Sequence, residues 1–158
     1  MVELTLRPLS NEEYAHYYEF AVKLLADEEA KAYNDDPLER YRSSARAFEK
    51  LIPKGDLESS AQYLLAIEHD RIVIGIVWYE LLGDHATAYI RDLFIYEEFR
   101  RHGYARATLE KLERILRQTG IRRIILNVFN HNKTAKKLYR SMGYSRSLIQ
   151  MVKKLGGM

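Results

Sequence analysis

The sequence contains no cysteine. This absence excludes a disulfide framework, a thiolate zinc site and a cysteine nucleophile, and it suits a reducing cytosol. No long hydrophobic run is present either. The longest apolar stretch, residues 72–78, is interrupted by Gly75 and is too short to cross a bilayer. The N-terminus lacks a basic region followed by an apolar one, so we predict neither a signal peptide nor a membrane anchor and expect a cytoplasmic protein.

A strong excess of one charge is also missing. The formal net charge is +3 and the pI is about 9.0. Acidic and basic residues alternate along the chain, whereas a nucleic-acid-binding domain usually carries a clustered basic stripe. The five histidines are scattered, and no pair has the spacing of a metal site. We therefore expect neither a nucleic-acid partner nor a bound metal.

What is present is the composition of a globular domain. The chain has 158 residues, of which 47% are hydrophobic and 30% are charged. That length suffices for one domain with a core of its own, so we predict a single domain over residues 1–158. No repeat, linker or low-complexity segment divides it.

Residues 1–55 are predicted to form a short strand followed by two helices. Pro8 ends the strand, and Ser10 with Glu13 forms the capping box that begins the first helix. Asp36 and the proline after it begin the second helix. The segment 53–55 (Pro-Lys-Gly) then ends it.

Residues 61–130 are predicted to hold the sheet, and residues 132–153 a last helix and strand. Three strand patterns joined by tight turns indicate an antiparallel meander, in which Gly75 marks a bulge or a close backbone approach. An amphipathic helix closed by Gly120 and the helix capped by Asn132 follow. The predicted strands are 63–68, 72–82, 86–96, 124–129 and, more weakly, 145–152. The fold class is α+β, with a mixed, mostly antiparallel sheet flanked by about four helices.

The segment Arg100–Ala105 has an unusual charge for the start of a helix. Such a position favours acidic residues, because the exposed N–H groups and the helix dipole make it positive. Here it carries two arginines and a histidine, which favours a polyanionic ligand, and Gly103 lets the backbone approach that ligand closely. The alternative interpretation is that the arginines are surface residues paired with Glu97 and Glu98.

Two motifs resemble those of the GNAT acetyltransferases. Arg100-x-x-Gly103-x-Ala105 is similar to the arginine-or-glutamine, x, x, glycine, x, glycine-or-alanine signature of that family. Roughly thirty residues further on, the segment 132–144, which begins at Asn132 and contains Tyr139, is similar to its second signature. Residues 93–95 stand where the family has its bulged fourth strand. The resemblance covers nearly the whole chain and implies the GNAT fold.

The resemblance also implies a binding site for acetyl-CoA as co-substrate. Backbone groups of β-strand residues would pair with the pantetheine arm, the loop would hold the diphosphate, and the second signature would contact the cofactor as well. The cofactor-binding residues that it implies are Leu93, Phe94, Ile95, Arg100, Arg101, His102, Gly103, Tyr104, Ala105 and Asn132.

Acetyl transfer to an amine needs a proton acceptor and a donor for the leaving thiolate. A lysine-like ammonium, with a pKa of about 10.4, must first lose its proton. The motif match places Tyr139 near the thioester sulfur as general acid. The base is open: Arg91 occupies the position where some relatives carry a glutamate, so Asp92 is the first candidate, Glu80 a weaker one and a water chain the third.

The predicted function is therefore N-acetyltransferase. The acceptor would be a primary amine of a small molecule, a protein lysine or an N-terminus, attacking directly in a ternary complex. The alternative is a GNAT-fold module that binds acyl-CoA without turnover and acts through a partner. A homodimer is left open.

Overall fold

The computed structural model describes residues 2–156, with Met1 and residues 157–158 outside the description. Five strands and four α-helices make up its regular structure, and short 3₁₀ turns lie at Pro53–Gly55 and Glu97–Phe99. The elements in chain order are β1 (Thr5–Pro8), α1 (Asn11–Tyr33), α2 (Pro37–Leu51), β2 (Gln62–His69), β3 (Ile72–Leu81), β4 (Thr87–Ile95), α3 (Tyr104–Gln118), β5 (Arg123–Leu126) and α4 (Lys133–Ser141).

The five strands form one sheet in the order β1-β2-β3-β4-β5. Three pairings are antiparallel, and the last, between β4 and β5, is parallel. A parallel pair needs a crossover connection, which α3 supplies. The mixed, mostly antiparallel sheet and the four helices confirm the predicted α+β class.

The predicted final strand, residues 145–152, is wrong for this chain. Residues 145–156 form neither helix nor strand and are exposed. Strand β5 is also shorter than predicted, because it ends at Leu126 instead of Phe129. Alternating apolar residues indicate a strand-forming tendency, but a strand exists only where a neighbouring edge accepts its hydrogen bonds.

The predicted helix starts are confirmed by their hydrogen bonds. The backbone N–H of Glu13 donates to Ser10 Oγ (3.1 Å), and the backbone N–H of Ser10 donates to Glu13 Oε2 (2.9 Å). This is a reciprocal capping box. At the second helix, Asp36 Oδ1 accepts from the N–H of Leu38 at 3.0 Å. Local sequence therefore sets both helix starts.

An ion-pair cluster joins the start of α1 to strands β1 and β2. The guanidinium of Arg7 donates to Glu13 through Nη2 (2.7 Å) and to Glu68 through Nε (2.7 Å). The hydrogen bond from Arg7 is the main cause that lowers the pKa of Glu13 from 4.5 to about 2. Glu13 therefore stabilises this corner both as a helix cap and as a partner of Arg7.

The described chain falls into two compact units. Residues 2–16 and 49–127 form the sheet unit, and residues 17–48 and 128–156 form the helical unit. In the sheet unit, α3 packs on β4 through a buried stripe of Thr108, Leu109, Leu112 and Leu116. In the helical unit, aromatic rings pack together, as Tyr17 does with Phe48. No helix within residues 2–156 has the length and apolarity needed to span a membrane.

Candidate active site

Strand β4 contains a bulge at Arg91. The ladder with β3 pairs Asp92 with Trp78 but Ile90 with Tyr79, so Arg91 is the extra residue. A bulge bends its strand and increases the local twist. Asp92 directly follows this bend and is half-buried. The family resemblance implied that residues 93–95 belong to a bulged fourth strand, and the register shows a bulge in that strand, two residues earlier, at Arg91.

A network of polar and aromatic side chains holds the bulge residue. Glu80 accepts hydrogen bonds from Arg91 Nη2 (2.8 Å) and from Gln62 Nε2 (2.7 Å). Gln62 Oε1 in turn accepts from the indole N–H of Trp78 at 2.8 Å. The guanidinium of Arg91 lies 5.0 Å from the ring centroid of Tyr89. Charge, hydrogen bonds and cation–π contact together fix the side chain of Arg91.

The contacts of Glu80 decide its protonation. Burial alone would raise the pKa of this carboxyl, but the hydrogen bonds from Gln62 and Arg91 outweigh burial and hold the pKa below its usual 4.5. A carboxylate with both oxygens bound and a lowered pKa is a poor proton acceptor near neutral pH. The structure therefore gives Glu80 a direct role in anchoring Arg91.

The second half of β4 has one open edge. The parallel ladder with β5 runs from Thr87 to Ile90 and stops there. Beyond the bulge, residues 92–95 continue to pair with β3 on one side, while no strand of residues 2–156 pairs with the other side. Leu93, Phe94 and Ile95 therefore lie on an edge that an extended ligand could join as an added strand.

Gly75 on β3 allows β4 to lie close at this point. A Cβ atom at Gly75 would be 2.2 Å from the carbonyl oxygen of Phe94 and 3.1 Å from the Cα of Ile95. Both contacts are with backbone and cannot be relieved by a side-chain rotation. The ladder is also irregular here, with Ile74 as an extra residue opposite β2. Both options predicted for Gly75, a bulge and a close approach, are therefore found at or beside it.

The loop after β4 folds back onto the end of that strand. Arg100 Nε donates to the carbonyl oxygen of Ile95 (2.8 Å), and its guanidinium lies 5.4 Å from the ring centroid of Phe94. The Arg100 side chain thus donates its hydrogen bond to a backbone carbonyl, and not to Glu97 or Glu98. The side chain of Arg100 braces the loop against β4.

The start of α3 presents unshielded backbone donors. The N-cap residue, Gly103, has φ +79° and no side chain to accept from the first-turn N–H groups, and that turn contains no acidic residue. Arg101, two positions earlier, has φ +65°. Arg101 and His102 are both exposed. Positive φ values in a turn that leads into a helix start direct successive N–H groups to one side, which is an anion-binding arrangement.

The ring of Tyr104 contacts two histidine rings. Its centroid lies 5.1 Å from that of His69 and 5.8 Å from that of His102. Its carbonyl accepts from Thr108 Oγ1 at 2.8 Å. Ala105, the next residue, is half-buried in the first turn of α3.

The second signature lies in the helical unit, on α4. Asn132 is the N-cap, and its Oδ1 accepts from the N–H of Ala135 at 3.0 Å. Tyr139 is half-buried, and its ring meets that of Tyr144 edge-on at 5.5 Å. The Asn132 side chain is therefore engaged in capping, and Tyr139 has an aromatic neighbour that fixes its ring.

Several residues of the site could not be found by sequence reasoning. Gln62, Trp78 and Tyr89 lie beside the bulge only because β2, β3 and β4 are in register. Only Gln62 carries a signal in the sequence, as the polar residue at the start of a largely apolar strand. Within residues 2–156, no three histidine, aspartate or glutamate side chains gather as a metal site would require.

The amino-acid sequence that builds this site also matches a known family. Residues 12–144 match the model of the "Acetyltransferase (GNAT) family". The chain belongs to the GNAT acetyltransferase family.

Individual relatives extend the match over nearly the whole chain. The "Uncharacterized N-acetyltransferase YycN" of Bacillus subtilis (strain 168) is 34% identical over 155 residues, covering 96% of this chain and 99% of the relative. The "Uncharacterized N-acetyltransferase YdgE" of the same organism is 32% identical over 154 residues, with coverages of 96% and 98%.

Solved structures agree with the fold. The crystal structure of YycN from Bacillus subtilis superposes with a TM-score of 0.89 at 33% identity, covering 98% of this chain and 100% of that one. PaiA N-acetyltransferase from Thermoplasma acidophilum, crystallised in complex with coenzyme A, has a TM-score of 0.63 at 19% identity, with 90% of each chain covered. The second likeness shows the fold alone.

Proposed function

We propose that this chain acts as one cytoplasmic N-acetyltransferase domain, which moves the acetyl group of acetyl-CoA to a primary amine by direct attack in a ternary complex. The observation that carries the proposal is the open edge of β4 after Arg91, followed within one short loop by the uncapped start of α3. The open edge of β4 suits the extended, amide-containing pantetheine arm, and the uncapped start of α3 suits the diphosphate.

The residues of the sheet unit fit coenzyme A in two ways. The backbone of Leu93 and Ile95 offers hydrogen-bonding groups to an arm added along the edge. The N–H groups around Gly103 offer donors to phosphate oxygens, and a Cβ at Gly103 would meet no atom within 4 Å, so the approach is open. The coenzyme A complex of PaiA, which shares the fold, supports this assignment.

The basic residues of the loop divide into two roles. Arg101 and His102 are exposed and would add attraction for the diphosphate. Arg100 would act indirectly, because its bond to the Ile95 carbonyl joins the loop to the strand edge. The strand edge and the phosphate-binding amides would thereby be kept at a fixed spacing.

The bound co-substrate would supply the acetyl group as a thioester. Asp92 is the candidate proton acceptor for the amine, since it follows the bulge, whereas Glu80 is held as the ionised partner of Arg91. The hydroxyl of Tyr139 would donate to the departing thiolate. A CoA-type thiol has a pKa near that of cysteine, about 8.5, so the tyrosine's share of catalysis is expected to be modest.

Binding is tested by thermal unfolding. Acetyl-CoA and CoA should raise the melting temperature, because a ligand that binds only the native state stabilises it by mass action. Adenine nucleotides without the pantetheine arm should raise it less, since they leave the β4 edge unpaired. No shift with millimolar CoA or acetyl-CoA would contradict the proposal.

Catalysis is tested by comparing Tyr139→Phe with Tyr144→Phe. Each change removes one hydroxyl from a pair of rings that contact each other, so effects on folding should be alike. Loss of a general acid costs about 10²–10⁴ in rate, and we expect the lower end for Tyr139→Phe, mainly in kcat. Tyr144→Phe should stay within a fewfold of the parent.

The acceptor is sought with a panel of small amines and peptides, by following acetyl-CoA consumption. CoA binding without turnover on any amine would favour the binding module over the enzyme. Equal rates for Tyr139→Phe and the parent, where chemistry limits turnover, would remove Tyr139 from the mechanism.

A further inference from the structure

The side chain of Arg91 has hydrogen-bonding capacity that the protein itself does not use. A guanidinium carries five N–H donors, and here Nη2 donates to Glu80 Oε1 at 2.8 Å. The Nε atom is buried and has no hydrogen-bond partner within residues 2–156. Burying a donor without an acceptor is costly, and such donors in native proteins usually have a reason. The unused donors of Arg91 therefore indicate an acceptor that a ligand supplies.

The guanidinium of Arg91 is held in place and remains accessible. Glu80, which anchors it, is itself fixed, because Gln62 donates to Glu80 (2.7 Å) and accepts from Trp78 (2.8 Å). The guanidinium lies 5.0 Å from the ring centroid of Tyr89 and 6.0 Å from that of Trp78. The Arg91 side chain is nevertheless 27% exposed. A ligand can therefore reach donors that are already oriented, which lowers the entropic cost of binding.

Asp92, the candidate proton acceptor, lies on the same face of the sheet as the Arg91 guanidinium. Residues that oppose each other on paired strands share a face, and the ladder pairs Asp92 with Trp78. Trp78 and Glu80 also share a face, because side chains alternate along a strand. Arg91 bonds to Glu80 and lies against Trp78. The sheet unit thus presents a cationic and an anionic side chain, adjacent in sequence, on one face.

This face lies where the proposed function brings the acetyl group. With the diphosphate at the start of α3, which follows the end of β4, an arm added along the open edge runs back from Ile95 past Leu93. Its thioester end therefore approaches Asp92 and Arg91. The acceptor amine must reach the thioester carbon, so the substituents next to the amine come beside Arg91. This step rests on the proposed function.

We propose that the acceptor is a free amino acid, and that Arg91 determines this specificity by binding its carboxylate. Arginine binds carboxylates through a planar set of N–H donors. The neighbouring rings of Tyr89 and Trp78 lower the local dielectric constant, which strengthens such a bond. The amino group then faces Asp92, one residue further along β4. The two charged ends of an amino acid thus match two adjacent side chains of opposite charge.

The same charges disfavour other small amines. A diamine would bring a second ammonium against the guanidinium, and like charges at close range repel each other. A simple monoamine would leave the donors of Arg91 unpaired, so its binding would gain nothing from them. The carboxamide of an amino acid offers a neutral oxygen, which accepts a weaker hydrogen bond than a carboxylate does. We therefore expect the order amino acid, carboxamide, simple amine.

The first test compares matched acceptors across a panel of amino acids. Each amino acid is assayed beside its carboxamide and beside the amine that decarboxylation would leave, and kcat/KM is measured at saturating acetyl-CoA. Loss of a hydrogen bond to a charged group should lower kcat/KM for the amine roughly 10- to 150-fold relative to its amino acid. Calorimetry of the same compounds on protein saturated with CoA gives the order in Kd without requiring turnover.

The second test removes the donors of Arg91. Arg91→Met should bring the ratio of amino acid to amine close to one. Because Arg91→Met leaves Glu80 without its cationic partner, the double variant Arg91→Met with Glu80→Gln restores the charge balance and should give the same result. Arg91→Lys should keep part of the preference, because an ammonium lacks the planar fork. Arg122→Met, which removes an exposed arginine of the same unit, should keep all of it.

The ratio separates recognition from support of the fold. A merely structural Arg91 would lower the rates for amino acid and amine together and leave their ratio unchanged. Folded Arg91→Met variants, single or double, that keep the full preference would therefore overturn the inference, with folding checked by circular dichroism. A parent that binds CoA but treats amino acid and amine alike would also overturn it, and would leave the proposed function standing. A parent that binds no CoA would overturn the proposed function, and this inference with it.

Discussion

Replacing Gly103 with alanine tests whether the start of α3 binds the diphosphate. The same change at Gly120 controls for the backbone strain that alanine introduces at a positive φ. Gly103 has φ +79°, and Gly120, at the other end of α3, has φ +88°. A Cβ would meet no atom within 4 Å at either glycine. Alanine in the left-handed region costs about 1 kcal/mol. Both variants should therefore lose similar stability, about 2–4 °C in melting temperature for a domain of this size.

Only Gly103→Ala should weaken the binding of CoA. Its methyl group would project beside the first-turn N–H groups and hold the diphosphate away from them. A hydrogen bond to a charged group contributes about 1.5–3 kcal/mol, so losing one should raise the Kd by roughly 10- to 150-fold. Gly120→Ala should leave the Kd unchanged within about twofold.

Isothermal titration calorimetry with CoA, at one fixed salt concentration, measures the two dissociation constants. Circular dichroism melts measure the two stabilities on the same samples. If the folded Gly103→Ala and Gly120→Ala proteins bind CoA equally, the start of α3 is not the diphosphate site. If their melting temperatures differ widely, the positive φ angle is not the common source of strain.

Three further predictions follow from single contacts. Arg101→Ala should weaken CoA binding by an amount that shrinks as the salt concentration rises. Arg117→Ala, which removes the same charge at the far end of α3, should not weaken CoA binding. An effect of Arg101→Ala that does not depend on salt would argue against Coulomb attraction. Gly75→Ala should destabilise the protein by about 1–3 kcal/mol, because its methyl group would strike a backbone carbonyl of β4; Gly83→Ala, with nothing within 4 Å, should cost under about 0.5 kcal/mol. Glu13→Gln should lower the unfolding free energy at pH 7 by about 1–2 kcal/mol, a value reduced for the partial exposure of the ion pair. Since the pKa of Glu13 is about 2 when folded and 4.5 otherwise, that difference should persist above pH 4.5 and vanish as the pH falls towards 2; urea titrations at several pH values would show whether it does.

The helix starts and the loop follow from local sequence signals. The capping box at Ser10 and Glu13 satisfies its N–H groups within a few residues, so short-range chemistry alone determines it. The same holds for Asn132 at the start of α4. Gly103 was identifiable because only glycine combines a left-handed φ with room for a ligand. These features depend on residues that are neighbours in sequence.

The roles of Glu80 and Arg91 required the tertiary structure. Sequence reasoning offered Glu80 as a weaker base, but the register of β2, β3 and β4 surrounds its carboxylate with Gln62 and Arg91. These two hydrogen bonds join residues that are 11 and 18 positions apart in the sequence. A change of register by one residue would move each side chain to the other face of its strand. No local pattern encodes that outcome.

The sequence by itself determined the fold class, the family motifs and the points at which helices begin, because these depend on composition and on contacts within a turn. The tertiary structure decided the bulge at Arg91, the open edge of Leu93–Ile95 and the absence of a strand at residues 145–152 within the described part of the chain. Each of these depends on which strand lies beside which. A strand-forming sequence becomes a strand only when a neighbouring edge accepts its backbone hydrogen bonds, and within the described residues 2–156 the segment 145–152 forms no strand.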